Sequence, residues 1–138
     1  MGGTSGALYA IYLTGLVQGL LKSTQNNGEA ATVKHWASAA NHAFQSLGKY
    51  TPARPGDRTL VDALEPFCRT LASEAESGKS AKEALKAAVD ASKEGAEKTR
   101  DMTARLGRAT YIGETSEKVP DPGAWGIWAL VEGIYKVL

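Results

Sequence analysis

Between Leu8 and Leu21 the chain carries Leu8, Tyr9, Ile11, Tyr12, Leu13, Leu16, Val17, Leu20 and Leu21. On an α-helix these side chains cover nearly the whole circumference, which is the pattern of a helix enclosed on all sides. A first helix from about Ser5 to Lys22, central in a bundle, is therefore predicted. The apolar run is too short for a bilayer span and is interrupted by Thr14 and Gln18. No basic segment precedes it, so a secretion signal is not expected.

The rest of the chain keeps the helical period and has almost no strand pattern. A second helix is predicted from about Glu29 to Leu47, on Ala30, Val33, Ala37, Ala40, Phe44 and Leu47. Gly48 would end it in the left-handed conformation. A third helix, capped by Asp57 or Thr59, buries Leu60, Leu64, Phe67, Cys68, Leu71 and Ala75, and Pro66 should kink it. Ser80-Ala81-Lys82-Glu83 is a capping box opening a fourth helix to about Ala104. Its inner stripe is small (Ala81, Ala84, Leu85, Ala88, Ser92, Gly95, Ala96, Thr99), and its outer face is charged. A long loop, 105–120, precedes a last helix capped by Asp121 with Pro122 in the first turn. The fold class is all-α, an antiparallel helical bundle in one domain, 1–138.

With a net charge of +1, no strong field attracts nucleic acid or an anionic membrane. The single cysteine, Cys68, excludes an internal disulfide and suits a reducing, cytoplasmic setting. His35 and His42 are seven residues apart, unlike a helical metal pair, and read as ordinary helix residues.

Residues that can meet a ligand cluster at helix ends. Gly2-Gly3-Thr4-Ser5-Gly6 leads straight into the first helix. Glycines allow close backbone approach, two hydroxyls follow, and the first helical turn leaves N–H groups unpaired at the positive end of the dipole. That suits a phosphate, although a plain helix cap accounts for the same residues, and the P-loop spacing is absent. Arg108, between Gly107 and Ala109, is either a bidentate phosphate clamp or an exposed arginine at a helix end. Gly56, Asp57 and Arg58 read as loop support.

Taken in order, GGTSGxLY, Arg54-Pro55-Gly56-Asp57-Arg58-Thr59-Leu60 with Asp62-Ala63-Leu64, Met102–Tyr111 and Asp121-Pro122-Gly123-Ala124 resemble the nucleotide-binding domain of dihydroxyacetone kinases. This is the L subunit of bacterial systems and the C-terminal domain of single-chain enzymes. The resemblance covers essentially the whole chain and implies an ATP- or ADP-binding part that passes a phosphoryl group to a short-chain ketose. It implies nucleotide contacts from Thr4, Ser5, Arg108, Asp121 and Gly123, with Arg108 catalytic. Gly48 and Leu60 would be wall positions, Gly2 and Gly3 support. Three extra residues stand around Ala53-Arg54-Pro55 relative to the bacterial pattern.

The family's magnesium-binding aspartates, by the same resemblance, lie upstream of GGTSG and are absent from this chain, which would hold about five of eight helices, the C-terminal two-thirds of the domain. The implied partner is the dihydroxyacetone-binding domain or subunit, with a homodimer also open. The competing expectation is a catalytically incomplete helical interaction module. With covering helices missing, one flank of the bundle should expose Leu, Ile, Val or Trp side chains and favour self-association.

Overall fold

A computed structural model describes residues 3–24, 30–106, 110 and 118–138. Five α-helices appear among them, and no strand: α1 Gly3–Thr24, α2 Val33–Leu47, α3 Val61–Glu76, α4 Ala81–Lys98 and α5 Pro122–Val137, with one 3-10 turn, Thr99–Asp101, after α4. Successive helices alternate in direction. The starts of α1, α3 and α5 and the ends of α2 and α4 share one rim.

The centre of this bundle is α3. It packs against α2, α4 and α5 and buries Val61, Ala63, Leu64, Phe67, Cys68, Leu71 and Ala75. The expected central position of α1 is not found. Leu13, Val17 and Leu21 are half or more exposed, while Leu8, Tyr9, Ile11, Tyr12 and Leu16 pack against the core. Gly15 and Gly19 explain the difference. A Cβ on either would stand 2.9 Å from Ala43 Cα or 2.7 Å from Ala39 Cα. The two backbones therefore meet along a stripe of small residues on one face of α1, and the opposite face is left uncovered. Over Thr4–Thr24, α1 is long and apolar enough to cross a membrane, which the shorter run Leu8–Leu21 does not suggest. The helix packs on α2 along its glycine face.

Several element ends also differ from expectation. The Thr32 hydroxyl accepts the His35 N–H and His35 Nδ1 accepts the Thr32 N–H, so α2 starts at Val33 behind a reciprocal cap. Gly48 is right-handed (φ −61°) because the chain keeps turning the same way, with the Tyr50 and Thr51 N–H groups both donated to Leu47 O. α3 begins only at Val61, after a turn stabilised by Asp62. α4 ends at Lys98, where Thr99 folds its hydroxyl back onto Ala96 O at 2.6 Å. The Ser80–Glu83 capping box and the Asp121 cap are present as predicted.

α3 continues through Pro66 to Glu76. Proline has no N–H for the Asp62 carbonyl one turn earlier. Gly95 of α4 occupies the notch. A Cβ there would stand 2.1 Å from Asp62 O and 2.9 Å from Pro66 Cγ. This contact lets the two helices close without a gap. Gly95→Ala should therefore destabilise the fold by about 2 kcal/mol or more, through forced separation of α3 and α4. Gly133 lies in α5 with nothing within 4 Å of a new Cβ. Gly133→Ala should stabilise by about 0.5–1 kcal/mol, the ordinary helix preference for alanine. Denaturant melts of the two variants check the pair; equal effects would contradict the Gly95 contact.

Candidate functional site

The rim is organised by the segment between α2 and α3. Arg54 Nη1 donates to Thr51 O at 2.9 Å and Ala53 O at 2.8 Å. Asp57 Oδ2 accepts the Arg54 N–H at 2.8 Å, closing a turn through Pro55 and Gly56, whose φ is +97°. Asp62 is buried, and its carboxylate accepts the Gly56 N–H at 2.5 Å and the Thr59 N–H at 2.8 Å. Between these anchors Arg58 is left-handed at φ +59°, a conformation costing about 1–2 kcal/mol for a residue with a Cβ. Two hydrogen bonds offset that cost: Arg58 Nε donates to Thr99 O at 3.2 Å and Nη2 to Val119 O at 2.9 Å. Arg105 adds its N–H to Asp57 O at 3.3 Å and its guanidinium at 3.8 Å from Asp57 Oδ1.

The start of α5 rests on this frame. The Asp121 N–H is donated to Thr99 Oγ1 at 2.7 Å, and Asp121 Oδ2 accepts the Ala124 N–H at 2.9 Å. Burial raises the Asp121 carboxyl above its ordinary range, while the Ala124 and Gly123 amides and the Arg58 guanidinium oppose that shift. Gly123 packs on Leu60, where an added Cβ would stand 3.5 Å from Leu60 Cβ. Neither α1 nor α5 has an acidic residue in its first turn. The positive end of α1 is therefore open to an anion, whereas that of α5 is capped by the Asp121 carboxylate.

Thr4 and Ser5 are exposed in the first turn of α1. The register that sets Gly15 on Ala43 and Gly19 on Ala39 carries that turn past the end of α2. The Tyr9 hydroxyl lies 3.5 Å from where a Cβ on Gly126 would stand. The Tyr9 side chain thus reaches from α1 to α5 one turn past its start. Asp121, Gly123 and Leu60 are brought together at the rim. Gly48 lies on the other side of the 51–60 segment, in an open cleft of about 350 Å³ shared with Phe44, Leu47, Lys49, Ala53 and Arg54. Gly2 and Arg108 lie outside the described residues. A second groove, about 410 Å³ between Lys34 and Glu76, is lined by Ala37 and His42 but by none of the nucleotide-contact residues expected from the sequence.

The frame has two members that sequence reasoning did not assign, Asp62 and Thr99. Asp62 carries a faint signal, three residues after Thr59 and at the start of an apolar stretch. Thr99 falls on the inner stripe of the fourth helix in the sequence, and it is buried, but nothing in Lys98-Thr99-Arg100 marks its bond to Asp121. Among the described residues no group of three or more His, Cys, Asp or Glu is placed to hold a metal ion. The Asp62 carboxylate already accepts two N–H groups. The rim carboxylates therefore do not fit a magnesium cage.

The chain matches the DAK2 domain model over residues 1–136. It is 46% identical over 140 residues to dihydroxyacetone kinase 2 of Saccharomyces cerevisiae, covering 96% of this chain and 22% of that protein. It is 36% identical over 138 residues to human triokinase/FMN cyclase, covering 100% of this chain and 23% of the relative. Its fold superposes on the dihydroxyacetone kinase of C. freundii with a TM-score of 0.68 and 27% identity, over 100% of this chain and 21% of the other. The chain spans less than a quarter of the length of these relatives.

The electrostatics of Asp121 are testable. Its carboxyl titrates higher when folded than when unfolded. Its contribution to stability is thus fully present below the unfolded value and is lost as pH rises through the folded one. Asp121→Asn keeps an acceptor for the cap and removes the titration. The stability of the native chain minus that of the variant should fall as pH rises from about 3 to 6. A difference that rises over that range in melts would show that the charged carboxylate is favoured in the fold.

Proposed function

The chain belongs to the DAK2 domain family, and on that premise we propose that it is the nucleotide-binding part of a dihydroxyacetone kinase. In this reading it presents ATP for transfer of the γ-phosphoryl group to a hydroxyl of a short-chain ketose held by a separate domain or subunit. The observation that carries the reading is the convergence of two helix N-termini with the Leu60 segment at one rim.

The roles follow from the chemistry available there. The exposed first-turn amides of α1, with the Thr4 and Ser5 hydroxyls, can donate to phosphate oxygens. The α5 start is capped by its own Asp121, and Gly123, free of a side chain, lets the ligand approach the backbone beside Leu60. Leu60 supplies an apolar wall, and Gly48 borders the neighbouring cleft. Arg108 is assigned to the charge that develops as the phosphoryl group moves. Magnesium, when bound by a complete kinase, would neutralise phosphate charge, and the described residues of this chain hold no group of carboxylates placed to bind it. The protein's own contribution is then to hold the phosphate chain in line with the acceptor and keep it from swinging.

The interaction-module alternative is not favoured, because the relatives that match over nearly the whole chain are kinases. Titration calorimetry with ADP tests the reading. The Thr4→Ala, Ser5→Ala double variant should lose about tenfold in affinity with an unchanged melting temperature, since both side chains are exposed. Arg108→Ala in a full-length kinase should lower turnover by about 100-fold with little change in stability. Unchanged affinity in the first and near-normal turnover in the second would place the phosphate elsewhere.

A further inference from the structure

Among the described residues, Arg58 is the only non-glycine residue with a positive φ, at +59°. Glycine would fit that turn without strain, and the chain uses it two residues earlier, at Gly56, where φ is +97°. The turn itself therefore does not call for an arginine. The side chain accounts for it. Nε donates to Thr99 O just after α4, and Nη2 donates to Val119 O just before α5. A guanidinium carries its N–H groups in a fixed fork, so one side chain reaches both carbonyls. The net worth of two such hydrogen bonds, one of them exposed, is of the same size as the left-handed strain. Arg58 thus adds little to stability. What it fixes is place. Its backbone lies two residues before Leu60, and its guanidinium holds the chain two residues before Asp121. These two stretches meet where Leu60 faces Gly123, with Leu60 Cβ 3.5 Å from a Cβ built on the glycine.

We propose that Arg58 is a positioning residue for the nucleotide, holding the Asp121–Gly123 turn at a fixed spacing from the Leu60 wall. This deepens the nucleotide reading above and rests on it. Without the bridge, α5 keeps its Asp121 cap and the bond from the Asp121 N–H to Thr99 Oγ1, so the helix itself stays formed. What is lost is the tie at Val119 that sets how closely the turn approaches Leu60. A gap of about 1 Å at a packed surface forfeits up to half of each van der Waals contact across it. A ligand lying between Leu60 and the Gly123 backbone therefore depends on Arg58 without touching it. The same guanidinium lies near enough to Asp121 to oppose the upward shift of its carboxyl, and that carboxyl reports whether the guanidinium is in place.

The experiment compares Arg58→Gly and Arg58→Lys with the native sequence in the full chain. ADP affinity is read by calorimetry, stability by thermal melts, and the Asp121 carboxyl by carbon NMR against pH. Arg58→Gly removes the bridge and the strain together. Its melting temperature should stay near the native value, its ADP affinity should fall about three- to tenfold, and its Asp121 carboxyl should titrate higher. Arg58→Lys keeps the charge but replaces the fork with a single ammonium, so its ADP affinity should fall as well. Native affinity in Arg58→Gly would overturn the positioning role and leave the nucleotide site intact. Native affinity in Arg58→Lys alone would assign the effect to charge and would overturn it too. A collapse of Arg58→Gly in the melts would show that the side chain holds the fold itself, which also contradicts the proposal. Failure of the native chain to bind ADP, with the Asp121 carboxyl still responding to Arg58→Gly, would overturn the nucleotide reading and the positioning role with it.

Discussion

A buried carboxylate sets the rim. Asp62 is removed from water and must have hydrogen-bond donors. The Gly56 and Thr59 amides supply them. That demand decides where the turn before α3 closes. It forces Arg58 into a left-handed conformation and delays the helix to Val61. From that strained position the Arg58 guanidinium reaches Thr99 and Val119. The entry to α5 is then fixed, and Leu60 meets Gly123. Each contact follows from the one before, from a single buried carboxylate to the capped start of α5.

The body of the bundle relies on a different device, the absence of side chains. Gly15 and Gly19 let α1 lie on Ala43 and Ala39, and Gly95 lets α4 lie on the carbonyl that Pro66 strands. Such close approach brings many backbone atoms into contact and makes each site intolerant of a methyl group. It also concentrates the packing of α1 on one side. Leu13, Val17 and Leu21 of α1 and Leu130 and Ile134 of α5 are left exposed.

The helical class was legible because the apolar spacing keeps one period along the chain, and caps with a local signature were legible for the same reason. Ser80–Glu83 and Asp121–Ala124 are settled within four residues. The burial of α1 was not, since a helical wheel counts apolar side chains and says nothing of how many neighbours will cover them. Gly48 misled because glycine permits the left-handed conformation without requiring it. Thr99 and Asp62 were invisible in their roles: their partners are 22 residues away in one case and define a turn rather than a helix in the other. At the rim, the sequence marked Gly56, Asp57 and Arg58 as loop support, but not the roles of Asp62 and Thr99, which complete the frame around Leu60, Asp121 and Gly123.

The most direct test is an amide chemical-shift map of the labelled chain titrated with ADP. If the rim is the nucleotide site, Thr4, Ser5, Leu60, Asp121 and Gly123 shift together and saturate at one common concentration. Shifts confined to the groove between Lys34 and Glu76, or an absence of any saturable change at the rim, would contradict it.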